Sequence, residues 1–175
     1  MSKAHEYAKY CNETYSTSSD SPIHTLQPDP GPPPTSQTSI ITCMDARIDP
    51  FRMFNLTLGS THIIRVGGGR APDALRSLIA SQHILNTTEV MIIHHTDCGF
   101  SKAPSEDVVR ELVRKSCGLS VGHVNFMPIG WIGGVEGSVR DDVEFLRMNP
   151  YVRKGATISG WVYDTSKGTI EEVKC

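Results

Sequence analysis

The chain has 175 residues, a formal net charge of −2 and 38% hydrophobic content, which fits one domain with a sizeable core and offers no electrostatic attraction for nucleic acid or an anionic membrane. No apolar run approaches the roughly 18 residues of a membrane span, and the amino-terminal residues carry neither a secretory nor a transit pattern. The cysteines Cys11, Cys43, Cys98, Cys117 and Cys175 are odd in number and scattered, which argues against a disulfide framework and fits a reducing, cytoplasmic compartment.

Residues 3–15 are predicted to form a short helix with Tyr7, Tyr10 and Cys11 on one side. Its apolar stripe is thin, so it needs another surface to pack on. A linker follows: residues 16–21 are rich in Ser and Thr, and residues 22–34 hold six of the eleven prolines. Pro32-Pro33-Pro34 favours extended polyproline geometry and reads as a surface tether. Residues 1–37 are thus an arm and linker, and residues 38–175 a single α/β domain.

In that domain the first strand runs over 39–43. Asp49-Pro50 opens a short helix reaching Asn55, since Pro suits the first helical position. A second strand covers 61–65 and leads into Gly67-Gly68-Gly69, where a backbone can approach a neighbour closely. The spacings of phosphate-binding loops are absent there. Residues 72–86 form the clearest helix: Pro72 starts it, Asp73 suits its positive end, and Leu75, Leu78, Ile79 and Leu85 recur at helical spacing. A third strand spans 89–95, with His94 expected to be buried and hydrogen-bonded, facing away from His95. A helix over 105–117, a strand over 121–127 and a loop over 130–134 follow. Val139, Val143 and Leu146 mark the last long helix, which Asn149-Pro150 ends. A strand over 157–163 turns at Ser166-Lys167-Gly168 into a short final strand. Strand and helix alternate, which predicts a central, mainly parallel sheet with helices on both faces.

Two stretches carry chemistry: Thr42-Cys43-Met44-Asp45-Ala46-Arg47 and His95-Thr96-Asp97-Cys98-Gly99. Each follows a predicted strand. If those strands are parallel neighbours, both stretches emerge at one carboxyl edge, where open α/β sheets place ligands. Two thiolates and one imidazole form a zinc set with one position open. Alternation along an extended chain would put Cys43, Asp45 and Arg47 on one face. The three-residue spacing of His95 and Cys98 lets a tight turn bring both to one ion. Asp97 reads as a turn residue.

Cys-x-Asp-x-Arg followed by His-x-x-Cys resembles the β-class carbonic anhydrases. The longer strings Ile41–Ile48 and His94–Gly99, with Asp73-Ala74-Leu75-Arg76-Ser77-Leu78 and Gly160-Trp161-Val162-Tyr163-Asp164, are similar to the short fungal and bacterial members. The resemblance implies an α/β fold, Zn²⁺ on Cys43, His95 and Cys98, and reversible hydration of CO₂ to bicarbonate. It implies Asp45 as the hydrogen-bond acceptor that orients the attacking oxygen, with Arg47 holding Asp45 ionised. Asp45 is also a metal ligand in closed states of the family. A dimer is implied as the smallest unit, or a higher homo-oligomer, with the amino-terminal arm on the partner.

One departure stands out. The family pattern after the second strand is Arg-Asn-Ala-Gly-Gly, whereas this chain has Arg65-Val66-Gly67-Gly68-Gly69. Val66 lacks the amide that could bond loops around the metal, so reduced turnover is expected. Two other readings stay open on this sequence: a zinc protein with little turnover acting as a binding or regulatory subunit, and a hydrolase of carbonyl sulfide or carbon disulfide.

Overall fold

A computed structural model of the chain describes residues 3–18, 33–102, 105–120, 122 and 134–175. The chain divides into two units, Met1–Pro32 and Pro33–Cys175. The described residues of the first form a helix, α1 (Lys3–Thr17), which reaches past the predicted end at residue 15. The hydroxyls of Thr14 and Thr17 donate to the carbonyls of Tyr10 and Glu13 one turn back, the bond that Thr makes when it sits inside a helix. Among the described residues no helix is long and apolar enough to cross a membrane.

Among its described residues the second unit is built on five strands: β1 (Thr38–Cys43), β2 (Thr61–Val66), β3 (Glu89–His95), β4 (Thr157–Asp164) and β5 (Thr169–Val173). Their order is β2-β1-β3-β4-β5. All neighbours pair in parallel except β4 and β5. The Asp164 carboxylate accepts from the Ser166 and Lys167 backbone N–H groups and the Ser166 hydroxyl, which closes that hairpin. The mainly parallel sheet expected from the sequence is therefore present. β1 has its successor β2 on one side and β3 on the other, so strand order reverses between β1 and β3. Their carboxyl ends form the kind of switch point at which open sheets bind ligands.

Among the described residues four helices accompany the sheet: α2 (Pro50–Met53), α3 (Ala71–His83), α4 (Glu106–Cys117) and α5 (Gly134–Met148). α2 is capped by the Asp49 carboxylate, which accepts from the Arg52 N–H. α3 and α5 pack together over one face. Ala71, Ala74 and Leu78 of α3 and Val139, Val143 and Leu146 of α5 meet Ile41, Val90 and Ile92 of the sheet. Full burial of each large aliphatic side chain is worth about 1.5–3 kcal/mol, and this layer makes β1 and β3 a stiff base for the site.

The helix expected over 72–86 stops at His83. Asn86 adopts φ +57, a left-handed conformation that Asn tolerates, and the Thr87 N–H bonds back to the Ser81 carbonyl. The chain therefore turns toward β3 before the predicted end. The strand expected over 121–127 lies outside the described residues apart from Gly122. Gly134, read as loop, begins α5.

A buried ion network joins α3, β3 and α5 behind the site. Asp142 is 1% exposed. It accepts from Arg70 Nε at 3.1 Å and Nη2 at 2.9 Å, the Ala71 N–H at 2.8 Å and His94 Nε2 at 3.2 Å. His94 Nδ1 lies 2.9 Å from Ser138 Oγ, so His94 is buried and hydrogen-bonded toward α5. Burial opposes ionisation of Asp142, but His94 and Arg70 outweigh it and hold the carboxyl below its ordinary range.

Candidate functional site

Cys43 ends β1 and His95 ends β3, and the register between these neighbours pairs Thr42 with Ile93. The Thr42 hydroxyl donates to the Ile93 carbonyl at 3.0 Å, tying the two strand ends together. After His95 the chain makes a tight turn in which Asp97 takes φ +55, and Cys98 returns toward Cys43. The Cys43 and Cys98 sulfurs are 3.9 Å apart. The ligating atoms of Cys43, His95 and Cys98 all lie within 4.8 Å of one another, and all three residues are buried.

The chemistry of this donor set fits a bound cation. His95 Nδ1 lies 2.9 Å from the Thr96 carbonyl oxygen. A carbonyl only accepts, so Nδ1 carries the hydrogen and the lone pair is on Nε2. That Nε2 is buried with no hydrogen-bond partner. An unmet buried polar atom costs about 1–3 kcal/mol, a cost that a coordinated cation removes. The sulfurs make the same demand. A hydrogen bond from Cys98 holds the Cys43 thiol down to about 4, against the opposing effect of burial. Cys98 is pushed well above the ordinary thiol range by neighbouring Cys43 and by burial. A divalent cation resolves that conflict, because both sulfurs can then be thiolates. Two thiolates and a neutral imidazole suit zinc with one open position.

Asp45 and Arg47 sit beside this cluster, but not through strand alternation. β1 ends at Cys43, and the chain turns at Ala46 and Arg47. The Asp45 carboxylate accepts from the Arg47 backbone N–H at 2.9 Å, a local Asx turn. Arg47 then closes a bidentate pair, Nε to Oδ1 at 2.9 Å and Nη2 to Oδ2 at 2.8 Å. The Arg47 hydrogen bonds hold the Asp45 carboxyl well below the usual carboxylate range. Asp45 Oδ2 lies 3.9 Å from His95 Nε2, so this carboxylate faces the donor set.

Three further residues shape the site, and the sequence reading assigned none of them a role there. Arg65 of β2 donates from Nε to the Cys43 carbonyl at 3.2 Å and from Nη2 to the Asp45 carbonyl at 2.6 Å. It thereby fixes the backbone that presents both side chains. Asp97, read as a turn residue, also accepts from Arg47 Nη1 at 3.0 Å and from Lys102 Nζ at 2.7 Å. Lys102 first and Arg47 second lower its carboxyl below the ordinary range. Phe100 packs with Met53, Val135 and Tyr163 against Cys43, Ile48 and Cys98. An aromatic two residues after a Cys and an Arg at the end of a strand are weak signals, because their partners lie far away in sequence.

The glycine run forms a tight 3-10 turn, Gly67–Gly69, and its purpose is close approach. A Cβ on Gly67 would lie 2.5 Å from Phe100 Cζ, and one on Gly69, at φ +74, would lie 3.1 Å from the Cys43 backbone nitrogen. Gly67 is thus the seat of the Phe100 ring, while Val66 packs against the apolar layer under α3 and α5.

The chain is similar to several known proteins. A family model described as carbonic anhydrase matches residues 38–120. Beta-carbonic anhydrase 1 of Mycobacterium tuberculosis is 34% identical over 142 residues, which cover 81% of this chain and 84% of that protein. The crystal structure of carbonic anhydrase from Streptococcus mutans superposes with a TM-score of 0.83 at 31% identity, covering 99% of each chain. A carbon disulfide hydrolase of Acidithiobacillus thiooxidans is 28% identical over 156 residues, covering 79% of this chain and 77% of that one.

Proposed function

The chain belongs to the β-carbonic anhydrase family, and from that premise we propose that it catalyses the zinc-dependent, reversible hydration of carbon dioxide to bicarbonate and a proton. The observation that carries this reading is the buried, unpartnered Nε2 of His95 set between two buried cysteines. Cys43, His95 and Cys98 would hold the metal, and zinc in such a set supplies the Lewis acidity that makes water a nucleophile near neutral pH.

The chain's own residues do the rest. Arg47 keeps Asp45 ionised through a charge-assisted fork. Asp45 Oδ2, on the side of the donor set, accepts a hydrogen bond from the attacking water and turns an oxygen lone pair toward the carbon of CO₂. Ile48, Met53, Phe100, Val135 and Tyr163 form the apolar surround, which suits an uncharged substrate and strengthens the electrostatics inside. Arg65 holds the Cys43–Asp45 backbone so that carboxylate and ligand keep one geometry. Without the grip of Arg47, Asp45 is close enough to take the fourth metal position itself.

Carbon dioxide is favoured over carbon disulfide because the likeness is higher to the carbonic anhydrase than to the hydrolase, 34% against 28% identity. The five free cysteines support a reducing, cytoplasmic setting. Tyr7 and Tyr10, both exposed on α1, support a homodimer in which the arm packs on a second copy. Stopped-flow CO₂ hydration by zinc-loaded protein tests the activity. The expected result is catalysis that is lost in Asp45→Ala while zinc remains. Zinc-loaded protein with no acceleration, or one that releases sulfide from carbon disulfide instead, overturns it.

A further inference from the structure

Arg47 is held from two sides. Its Nε and Nη2 donate to Asp45, its Nη1 donates to Asp97 Oδ2 at 3.0 Å, and Nη2 also donates to the Asp97 carbonyl at 3.1 Å. The Arg47 side chain is 50% exposed, and an ion pair that open to solvent is by itself a weak restraint on a long, flexible side chain. A guanidinium anchored along two edges is restrained far more, because its planar fork loses freedom once for several hydrogen bonds. Asp97 is placed for this by an unusual backbone. Its φ of +55 is a conformation that non-glycine residues seldom adopt. Lys102 Nζ takes Oδ1 at 2.7 Å, which leaves Oδ2 aimed at Arg47.

The alternative position for Asp45 is close by. Its Oδ2 is 3.9 Å from His95 Nε2, so the carboxylate lies within reach of a metal that Cys43, His95 and Cys98 would hold. What keeps Asp45 away is the grip of Arg47, and what fixes Arg47 is Asp97. We propose that Asp97 is a positioning residue: by anchoring Arg47 it holds Asp45 off the fourth metal position and keeps that position open. This rests on the metal reading above. The turn that supplies two ligands, His95 and Cys98, thus also supplies the anchor for the carboxylate's partner, so metal geometry and the state of Asp45 are coupled through one short segment. Residues behind the ligands commonly tune a metal site in this way.

The test uses full-length protein loaded with Co²⁺ alone, with thiocyanate as a probe of the open position read by visible absorption. Wild-type protein should show cobalt–thiolate bands that thiocyanate shifts. Asp97→Asn keeps the size and the tolerance of positive φ but removes the charge. If Asp45 then occupies the metal about nine-tenths of the time, the apparent thiocyanate affinity falls about tenfold. In an Asp45→Asn background, adding Asp97→Asn should change nothing, because the effect runs through Asp45. An Asp97→Asn protein that binds thiocyanate as wild type does, or a double variant that is weakened as much as Asp97→Asn alone, overturns the inference. Wild-type protein without cobalt–thiolate bands overturns the metal reading itself and this inference with it.

Discussion

Replacing Asp142 by Asn tests the network that pins α3 and α5 behind the metal site. The carboxylate is 1% exposed and satisfies Arg70, the Ala71 N–H and His94. Asn keeps the shape but lacks the charge, and its amide can offer only one oxygen where Asp142 offers two. Arg70, with a side chain 14% exposed, would then lose its ion pair with Asp142. Removing one partner of a buried charge pair costs about 3–5 kcal/mol. That is a large part of the about 5–15 kcal/mol by which a domain is stable. For a chain of this length it lowers Tm by about 6–20 °C. Equilibrium urea unfolding of metal-loaded protein at pH 7, with thermal melts alongside, measures the change. The folded carboxyl lies below its unfolded value, so its contribution is fully present above roughly pH 4 and is lost as pH falls through the folded value. Asn has no such proton to take up, so the gap between wild type and variant should narrow in acid. A loss under about 1 kcal/mol at pH 7, or a gap that widens on acidification, would refute the reasoning.

Other outcomes follow from the site. Purified protein should carry about one zinc per chain, and Cys98→Ser should lose most of it by metal analysis; full zinc in that variant sinks the ligand assignment. Arg47→Ala should keep its zinc yet lose most CO₂ hydration as Asp45 swings onto the metal, and wild-type rates at neutral and alkaline pH would contradict this. Gly67→Ala should push Phe100 off the cysteines at a cost of about 1–3 kcal/mol, with Phe100→Leu relieving it; unchanged stability and turnover in Gly67→Ala alone would show that the ring is not seated there. Val66 packs in the apolar layer rather than beside the donor set, so Val66→Asn should lower stability and bring no gain in turnover, which thermal melts and stopped-flow assays check; a faster variant would show that this position bonds the loops around the metal. Deleting residues 1–36 should weaken self-association, and a stable monomer at full length in sedimentation would remove the dimer reading.

Much of the architecture was legible in the chain because its causes are local. The apolar runs leading to Cys43 and His95, and the helical spacing through Leu75 and Leu78, set the alternation of strand and helix wherever neighbouring residues dictate the backbone. The end of α3 is not legible for the opposite reason: periodicity continues through Leu85, but the left-handed Asn86 and the bond from Thr87 to Ser81 stop the helix first. The spacing of Cys43, Asp45, Arg47, His95 and Cys98 pointed to a zinc donor set with a paired carboxylate. Asp45 and Arg47 nevertheless meet through a turn rather than along a strand. Only the tertiary structure decided what surrounds that set. Asp97 reaches Arg47 across 50 residues of sequence, Asp142 reaches Arg70 across 72, and Phe100 settles on Gly67. No periodicity records such pairings, because they depend on β1 and β3 lying side by side with α3 and α5 packed behind them. The sequence by itself determined which atoms can bind a metal, while the fold decided which of them are buried, which nitrogen of His95 is left without a partner, and what holds Asp45 in place.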